Sequence, residues 1–349
     1  MEIPPWAPRW RDTINLPFQN NLSPKKVLIC GSAGFIGRNL LNHFLGKPEY
    51  EVYAAYHRIP PLPGSFSNEG KVKFVKVDLT DKRDVDEVTR GMDIVIQAAA
   101  TTSGAKEILS KPYYHVTDNA VMNALIFRAC YENKVRRLIF FSCTVMYPGH
   151  LGRPVKEDDF DYQVNDKYFG SGWTKVYAEK MCEFYSRIGP TQYMAIRHSN
   201  VYGPFDKYDL ERSHVFGATV TKVMTAPENG KIVVWGDGSE ERDLIHVDDL
   251  IAFIDKILLL QGSPFELINV GRGESISVRS LIEKIVKHSG KSLVIEFDRT
   301  KPNIPFKLSL NIERAKTFYQ WEPRISLDEG IAKTLEWYRS YYLQSQGVS

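Results

Sequence analysis

Residues 27–45 read VLICGSAGFIGRNLLNHFL, and the fold turns on them. Four apolar residues run into Gly31, and Gly34 and Gly37 complete a G-x-x-G-x-x-G spacing. Phe35, Leu40, Leu41 and Phe44 then recur at helical intervals, so the stretch reads as buried strand, tight turn and amphipathic helix. The first glycine permits the turn. The second lets the backbone approach a pyrophosphate, and the third lets the helix sit close to a sheet. The helix start offers unpaired N–H groups and the positive end of its dipole to phosphates. Three glycines alone also fit a plain turn; their place at the first strand–helix junction favours a dinucleotide site.

The pattern repeats outward. EVYAAY (51–56), VKFVKV (72–77), DIVIQA (93–98), RLIFFS (137–142) and TQYMAIR (191–197) are apolar runs of strand length. Helical stretches separate most of them, notably around 118–132 and 172–188. This alternation predicts right-handed crossovers and an α/β fold: a Rossmann doubly wound parallel sheet covered on both faces. Beyond Gly203-Pro204 the rhythm changes to Gly-, Asp- and Glu-rich loops, with a short strand at KIVVW (231–235). Helices are expected at 247–260, 277–289 and 328–343, and FELINVG (265–271) is placed to return to the main sheet. The expected division is an N-terminal arm (1–24), an NAD(P)-binding Rossmann domain (25–202 plus 247–272) and a smaller C-terminal α/β substrate domain (203–246 and 273–349).

Composition narrows the function classes. The 349 residues are 43% hydrophobic and 25% charged, ordinary for a soluble globular protein. A formal charge of +3 is too mild to argue for nucleic acid, and clustered basic residues would serve an anionic small ligand instead. No apolar run approaches the ~18 residues that span a bilayer. The first residues lack the apolar stretch of a secretory leader. Cys30, Cys130, Cys143 and Cys182 are far apart with no C-x-x-C pair, so neither disulfides nor a metal site is expected, and a reducing cytoplasm is the default.

Cofactor choice is read where the second strand ends. An acid there would bind a ribose 2′-hydroxyl and a base would suit a 2′-phosphate. YAAYHRIPP supplies His57 and Arg58 and no acid, which leans towards NADP over NAD, although Arg58 also fits an ordinary surface charge. Asp78, after VKFVKV, is placed either to accept from an adenine amino group or to serve a turn or helix cap.

GSAGFIG, the AAA after the fourth strand, FSCTVMYP, GWTKVYAEK and HSNVYGP together resemble the extended branch of the short-chain dehydrogenase/reductase superfamily, from about residue 25 to 343. Within it, MYP, MCEFYSR, NVYGPFDKYDLERSHV and VVWGDGSEERDLIHVDD are most similar to the GDP-L-fucose synthase group of 3,5-epimerase/4-reductases. The resemblance implies a dinucleotide held by Gly31, Ser32, Gly34, Phe35, Ile36, Gly37, His57, Arg58, Asp78, Leu79, Ala98, Ala99, Ala100 and Lys175. It also implies a Ser/Thr, a Tyr and a Lys acting together. In that trio the lysine holds the nicotinamide ribose and the phenol moves a proton.

Two of those three positions depart from the pattern. Lys175 matches the lysine, but Ser171 stands where the tyrosine belongs. Counting back four from Tyr147 gives Cys143 in place of the Ser/Thr, flanked by Ser142 and Thr144. A serine hydroxyl hardly ionises near neutrality, whereas a phenol starts near pKa ~10 and an ammonium brings it down. General acid–base help is typically worth about 10²–10⁴-fold, so something must substitute or the chemistry stalls. Cys143 is one substitute if Lys175 depresses its thiol, or else a small buried residue. Tyr168 could swing in or remain a loop tyrosine. Tyr177 should face elsewhere on the helix and pack.

On the sugar side the resemblance assigns His214 as an epimerisation acid/base, with a backbone-bonded loop histidine as the alternative. The group's partner cysteine is replaced by Val145, which counts against double epimerisation. Asn200, Trp235 and Arg242 match substrate-side positions: an amide for the diphosphate, an apolar face for a base or sugar, and a fork for phosphate oxygens. TKPNIPFK lacks the Gly and Arg that often follow T-K-P, so base or sugar recognition is expected to be unusual. The sequence thus predicts an NAD(P)-dependent nucleotide-sugar epimerase/reductase working through a keto sugar. A GDP-sugar is favoured as ligand and a homodimer as assembly. The alternatives are an impaired protein of the same fold, whether an engineered Tyr→Ser variant or a pseudoenzyme, and a nucleotide-sugar 4,6-dehydratase.

Overall fold

The computed structural model describes residues 23–61, 72–101, 112–149, 151–210, 213–300 and 307–343, so nearly all of the expected arm and part of TKPNIPFK lie outside the described residues. The chain opens with β1 (Lys25–Cys30), α1 (Phe35–Leu45), β2 (Tyr50–Tyr56) and β3 (Val72–Lys76). It continues through α2 (Lys82–Thr89), β4 (Ile94–Gln97), α3 (Pro112–Glu132), β5 (Arg137–Phe141), α4 (Phe169–Ile188) and β6 (Gln192–His198). Then come β7 (Asn200–Tyr202), α5 (Val215–Thr225), β8 (Lys231–Trp235), β9 (Glu241–Arg242), β10 (Leu244–His246), α6 (Val247–Leu260) and β11 (Phe265–Val270). The last part holds β12 (Ile276–Ser277), α7 (Val278–Ser289), β13 (Val294–Asp298), β14 (Lys307–Leu308), α8 (Glu313–Tyr319), α9 (Leu327–Trp337) and a π-helical turn at Tyr338–Tyr342.

Seven strands form one sheet in the order β11-β6-β5-β4-β1-β2-β3, every pair parallel. This is the doubly wound Rossmann order with β11 added beside β6, as FELINVG foretold. Alternate residues of each strand feed opposite cores. Val27, Ile29, Ile94, Ile96, Met194 and Ile196 pack with Leu40, Leu41 and Phe44 of α1 and Leu250, Phe253 and Ile257 of α6. Leu28, Cys30, Val95, Leu138, Phe140 and Ala195 pack with Ile126 and Phe127 of α3 and Ala178 and Cys182 of α4. A strand buried on both faces must be apolar throughout, which is why these runs carry no period-two polarity.

A third core gathers Phe216 and Val220 of α5, Ile232 and Val234 of β8, Leu281 and Ile285 of α7, and Ile331 and Leu335 of α9. Lys291 joins its parts by donating to the carbonyls of Val223, Met224 and Ala226 at 3.1, 2.7 and 2.6 Å, capping the end of α5. Residues 313–321 pack elsewhere. Ala315, Tyr319 and Trp321 enter the core beside α6, and Trp321 Nε1 donates to the Asp249 carbonyl at 3.2 Å. Asp243 ties the two regions together: its buried carboxylate accepts from the backbone N–H groups of Arg272, Gly273 and Leu310 at 2.8, 3.1 and 3.0 Å. Among the described residues no helix is long and apolar enough to cross a membrane.

Candidate active site

The glycine turn sits where strand order reverses, between β1 and β4, at their carboxyl ends. Gly31 has φ +75°, and a Cβ there would lie 2.6 Å from Ala99 Cα. A Cβ on Gly37 would lie 2.1 Å from the Gly31 carbonyl oxygen, so α1 reaches the turn only with glycine at both places. Gly34 differs. A Cβ there would meet only the Gly31 carbonyl oxygen, at 3.3 Å, which leaves its outer side open. Gly34 caps α1 without a side-chain hydrogen bond, and the first turn carries no acid. Nothing anionic from the helix itself competes for those N–H groups, so the turn fits a pyrophosphate.

The other expected cofactor residues divide. Ser32 is buried and donates through Oγ to the Ala55 carbonyl at 2.9 Å, so its side chain ties the turn to β2. Phe35 and Ile36 are partly buried against the α1-side core and Leu79 against the other. Asp78 accepts from Thr80 N at 2.9 Å and Thr80 Oγ1 at 2.6 Å, bonds that hold its carboxyl below the usual carboxylate range. It is thus a turn aspartate, with its second oxygen 3.8 Å from His57 Nε2. His57 and Arg58 are exposed beyond β2. Ala98 and Ala99 are half-buried against the turn and Ala100 is exposed.

Sequence reasoning missed the polar props behind this strip. Buried Gln97 donates to Asn123 Oδ1 at 2.9 Å, and its carbonyl accepts from Ala99 N at 3.3 Å. Asn119 accepts from Thr101 N at 2.9 Å and donates to the Thr101 carbonyl at 3.0 Å. Asn119 and Asn123 lie one turn apart on α3. Two amides at i, i+4 in an otherwise apolar helix stripe were the available signal.

Lys175 reaches from α4 to the carboxyl edge of β5. Its Nζ donates to the Phe141 carbonyl at 2.8 Å and stands 4.8 Å from the Phe140 ring centroid. Burial draws its pKa down, against the pull of Cys143 and Glu179. Ser171 donates from Oγ to the Tyr168 carbonyl at 3.2 Å. Cys143 is half-buried near Lys175, but burial raises its thiol pKa and outweighs the lysine's lowering effect. The expected depressed thiol is therefore corrected: desolvation beats a single partly shielded charge. Ser142 is spent on Glu179 Oε1 at 2.6 Å, and Thr144 is half-buried in the following turn.

Tyr147 and Glu179 belong to a buried network. Arg197 grips Glu179 through Nε and a terminal nitrogen at 2.9 and 2.6 Å, and donates to Tyr147 Oη at 2.9 Å. Tyr147 in turn donates to Asn269 Oδ1 at 2.7 Å. This fixes α4, and so Lys175, against β5, β6 and β11. Tyr168 is half-buried, and burial raises its phenol pKa, with the charges of Arg242 and Glu240 also bearing on it. Tyr177 is 60% exposed, which overturns the expectation that it packs.

The residues expected on the sugar side are spread over β7, the start of α5, β8 and β9. Asn200 Nδ2 donates to the Asp243 carbonyl at 3.1 Å. Arg242 donates to Glu240 Oε2 at 2.5 Å and to the Glu241 carbonyl at 3.0 Å, so in this form its fork is engaged by its own strand. Trp235 ends β8 at 65% exposure. His214 is the N-cap of α5, without a side-chain cap bond, and is solvent-facing at one edge. Its imidazole pKa lies below the ordinary value through partial desolvation and then the Lys207 charge.

One further residue, outside every sequence expectation, feels the charges of both Lys175 and His214. His198 ends β6, half-buried, its ring 6.1 Å from that of Phe141. Its Nδ1 lies 2.8 Å from the Ser199 carbonyl, and a carbonyl only accepts, so Nδ1 carries the proton. Burial lowers its pKa to about 4, with the charges of Lys175 and His214 pressing the same way.

The glycine turn at the switch point of a doubly wound sheet defines a dinucleotide-binding α/β protein. The chain belongs to the NAD dependent epimerase/dehydratase family, whose model matches residues 27–271. It is 25% identical to GDP-L-colitose synthase of Yersinia pseudotuberculosis over 90% of this chain and 97% of that one. It is 28% identical to GDP-L-fucose synthase of Escherichia coli over 91% and 97%. In fold it matches UDP-glucose 4-epimerase of Thermotoga maritima, solved with UDP-glucose, with a TM-score of 0.80 over 91% and 99% at 21% identity. The family's nicotinamide dinucleotide fits the turn: glycine is sterically required at Gly31 and Gly37, and the α1 start is uncapped.

Proposed function

We propose that this protein is an NAD(P)-dependent nucleotide-sugar epimerase/reductase that works through a keto sugar, with a GDP-sugar as favoured ligand and NADP as favoured cofactor. The observation that carries the reading is the Lys175 ammonium held on the Phe141 carbonyl at the carboxyl end of β5, two strands from the glycine turn. In this reading Lys175 positions the nicotinamide ribose, and Ser171, Cys143 and Thr144 flank the reacting carbon. His214 moves a proton on the sugar's other face. The nicotinamide, when bound, supplies or takes up the hydride. Asn200, Trp235 and Arg242 receive the diphosphate and base, with Arg242 exchanging Glu240 for phosphate oxygens. NADP is favoured because exposed His57 and Arg58, not a carboxylate, end β2. The two-part domain division and a homodimer through α3 and α4 belong to the same proposal.

The test is NADPH consumption, and NADH for comparison, on a panel of 4-keto and parent GDP-, UDP-, CDP- and dTDP-sugars. Turnover with a GDP-linked keto sugar is the expected result; water loss from a parent sugar would point to a dehydratase instead. Ser171→Tyr separates the stalled alternative, which the Ser171 hydroxyl bonded to its own helix start favours. A silent wild type whose Ser171→Tyr variant turns over would mark an impaired enzyme.

A further inference from the structure

We propose that His198 is the proton-transferring catalytic residue that takes the place of the missing phenol. The inference rests on the hydride-transfer reading above and adds the residue that reading lacks. Three observations on the geometry support it. His198 closes β6 at the carboxyl edge, its ring against the ring of Phe141, the residue whose backbone carbonyl holds Lys175. Its Nδ1–H is spent on the Ser199 carbonyl, which leaves the Nε2 lone pair as its reactive atom, and among the described residues Nε2 has no hydrogen-bond partner. The ring is fixed by that bond and by the Phe141 edge contact, so Nε2 needs no loop movement to act.

The competitors are weaker on the same grounds. Ser171 is too short and already donates to Tyr168. The Cys143 thiol is pushed up by burial and stays protonated. Tyr168 faces Arg242 and Glu240. The charged groups facing His198 are Lys175 from α4 and His214 from the start of α5; both favour the neutral ring, the form that accepts a proton.

The step balances. On oxidation of a sugar alcohol, the O–H bond breaks and its proton goes to Nε2. The carbon's C–H electron pair leaves as hydride to the oxidised nicotinamide, and a carbonyl forms. On reduction, hydride enters the carbonyl carbon and the Nε2–H proton moves to the oxygen, leaving an alcohol and a neutral imidazole that solvent reprotonates. Because burial and both charges favour the neutral ring, reduction draws on the small protonated fraction, and its rate should rise as pH falls.

The experiment compares wild type, His198→Ala, Ser171→Tyr and the double variant. NADPH binding is read by fluorescence, and hydride transfer on the keto-sugar panel by absorbance. His198→Ala is expected to lower kcat by about 100-fold or more with NADPH affinity within about threefold. The double variant should recover most of that loss, because a restored phenol makes the imidazole dispensable; a merely structural histidine would not be rescued. Independently of turnover, the His198 Cε1–H resonance, assigned by its absence in the Ala variant, should shift when NADP⁺ and GDP are added. Turnover retained by His198→Ala, loss without rescue, or an unmoved resonance would each overturn the proposal while leaving the enzyme reading intact. A wild type that binds both ligands yet transfers hydride to none of the panel, with or without Ser171→Tyr, removes the reading and the proposal together.

Discussion

Glu179 and Arg197 are both almost wholly buried, joined by two hydrogen bonds, and they anchor the helix that carries Lys175. Breaking such a pair leaves one charge in the core, at a cost of about 3–5 kcal/mol. Glu179→Gln should therefore lower stability by an amount of that order in urea denaturation, and the double change Glu179→Gln with Arg197→Met should cost less than Glu179→Gln alone, because it leaves no buried charge. Asp206, two residues past the Gly203-Pro204 turn, behaves differently. Its Oδ2 is buried without a partner and burial pushes its pKa up to about 7. A carboxyl whose folded pKa is raised binds its proton more tightly folded than unfolded. Its stabilising contribution is whole below the ordinary aspartate value of 3.8 and is lost as pH rises towards about 7. Melting temperature should fall across that window and then level. Asp206→Asn should flatten this component and gain about 1–3 kcal/mol at pH 8.

At the scale of elements, the β1–α1 junction is set by backbone contact. The Gly37 site leaves 2.1 Å between an added Cβ and the Gly31 carbonyl oxygen, and neither atom is the end of a flexible side chain. Gly37→Ala must lift α1 off the turn, away from the position in which its first N–H groups meet phosphate. A drop in melting temperature of several degrees and a tenfold or greater loss of NADPH affinity by fluorescence titration are expected, corresponding to about 1.4 kcal/mol or more in binding. This junction was legible in the sequence because its whole logic fits within seven residues. The network from Ser142 through Glu179 and Arg197 to Tyr147 and Asn269 was not. Its members come from four separate stretches, and Glu179 showed only as one letter of GWTKVYAEK.

At the scale of the whole molecule, α3 and α4 pack together and turn outward Val121, Tyr177 and Phe184, which are 40%, 60% and 51% exposed. Tyr177 and Phe184 are seven residues apart on one helix and so share a face. A second copy of the same face would cover them, as the proposed homodimer requires. Sedimentation should then give twice the chain mass for the wild type. Tyr177→Glu with Phe184→Glu should give a monomer that still binds NADPH, since neither side chain reaches the cleft. A monomeric wild type would remove the assembly proposal.

The sequence by itself determined the strand–turn–helix start, the parallel alternation of buried strands, and the spacing of Ser171 and Lys175 on one helix. Each of these rests on spacing between near neighbours, which chain geometry alone enforces. Tertiary structure decided the rest. It commits the Arg242 fork to Glu240, raises the Cys143 thiol by burial, sends Tyr177 into solvent and sets His198 at the edge where Lys175 is held. Burial and charge at a side chain depend on residues tens of positions away, and only the closed sheet brings those together.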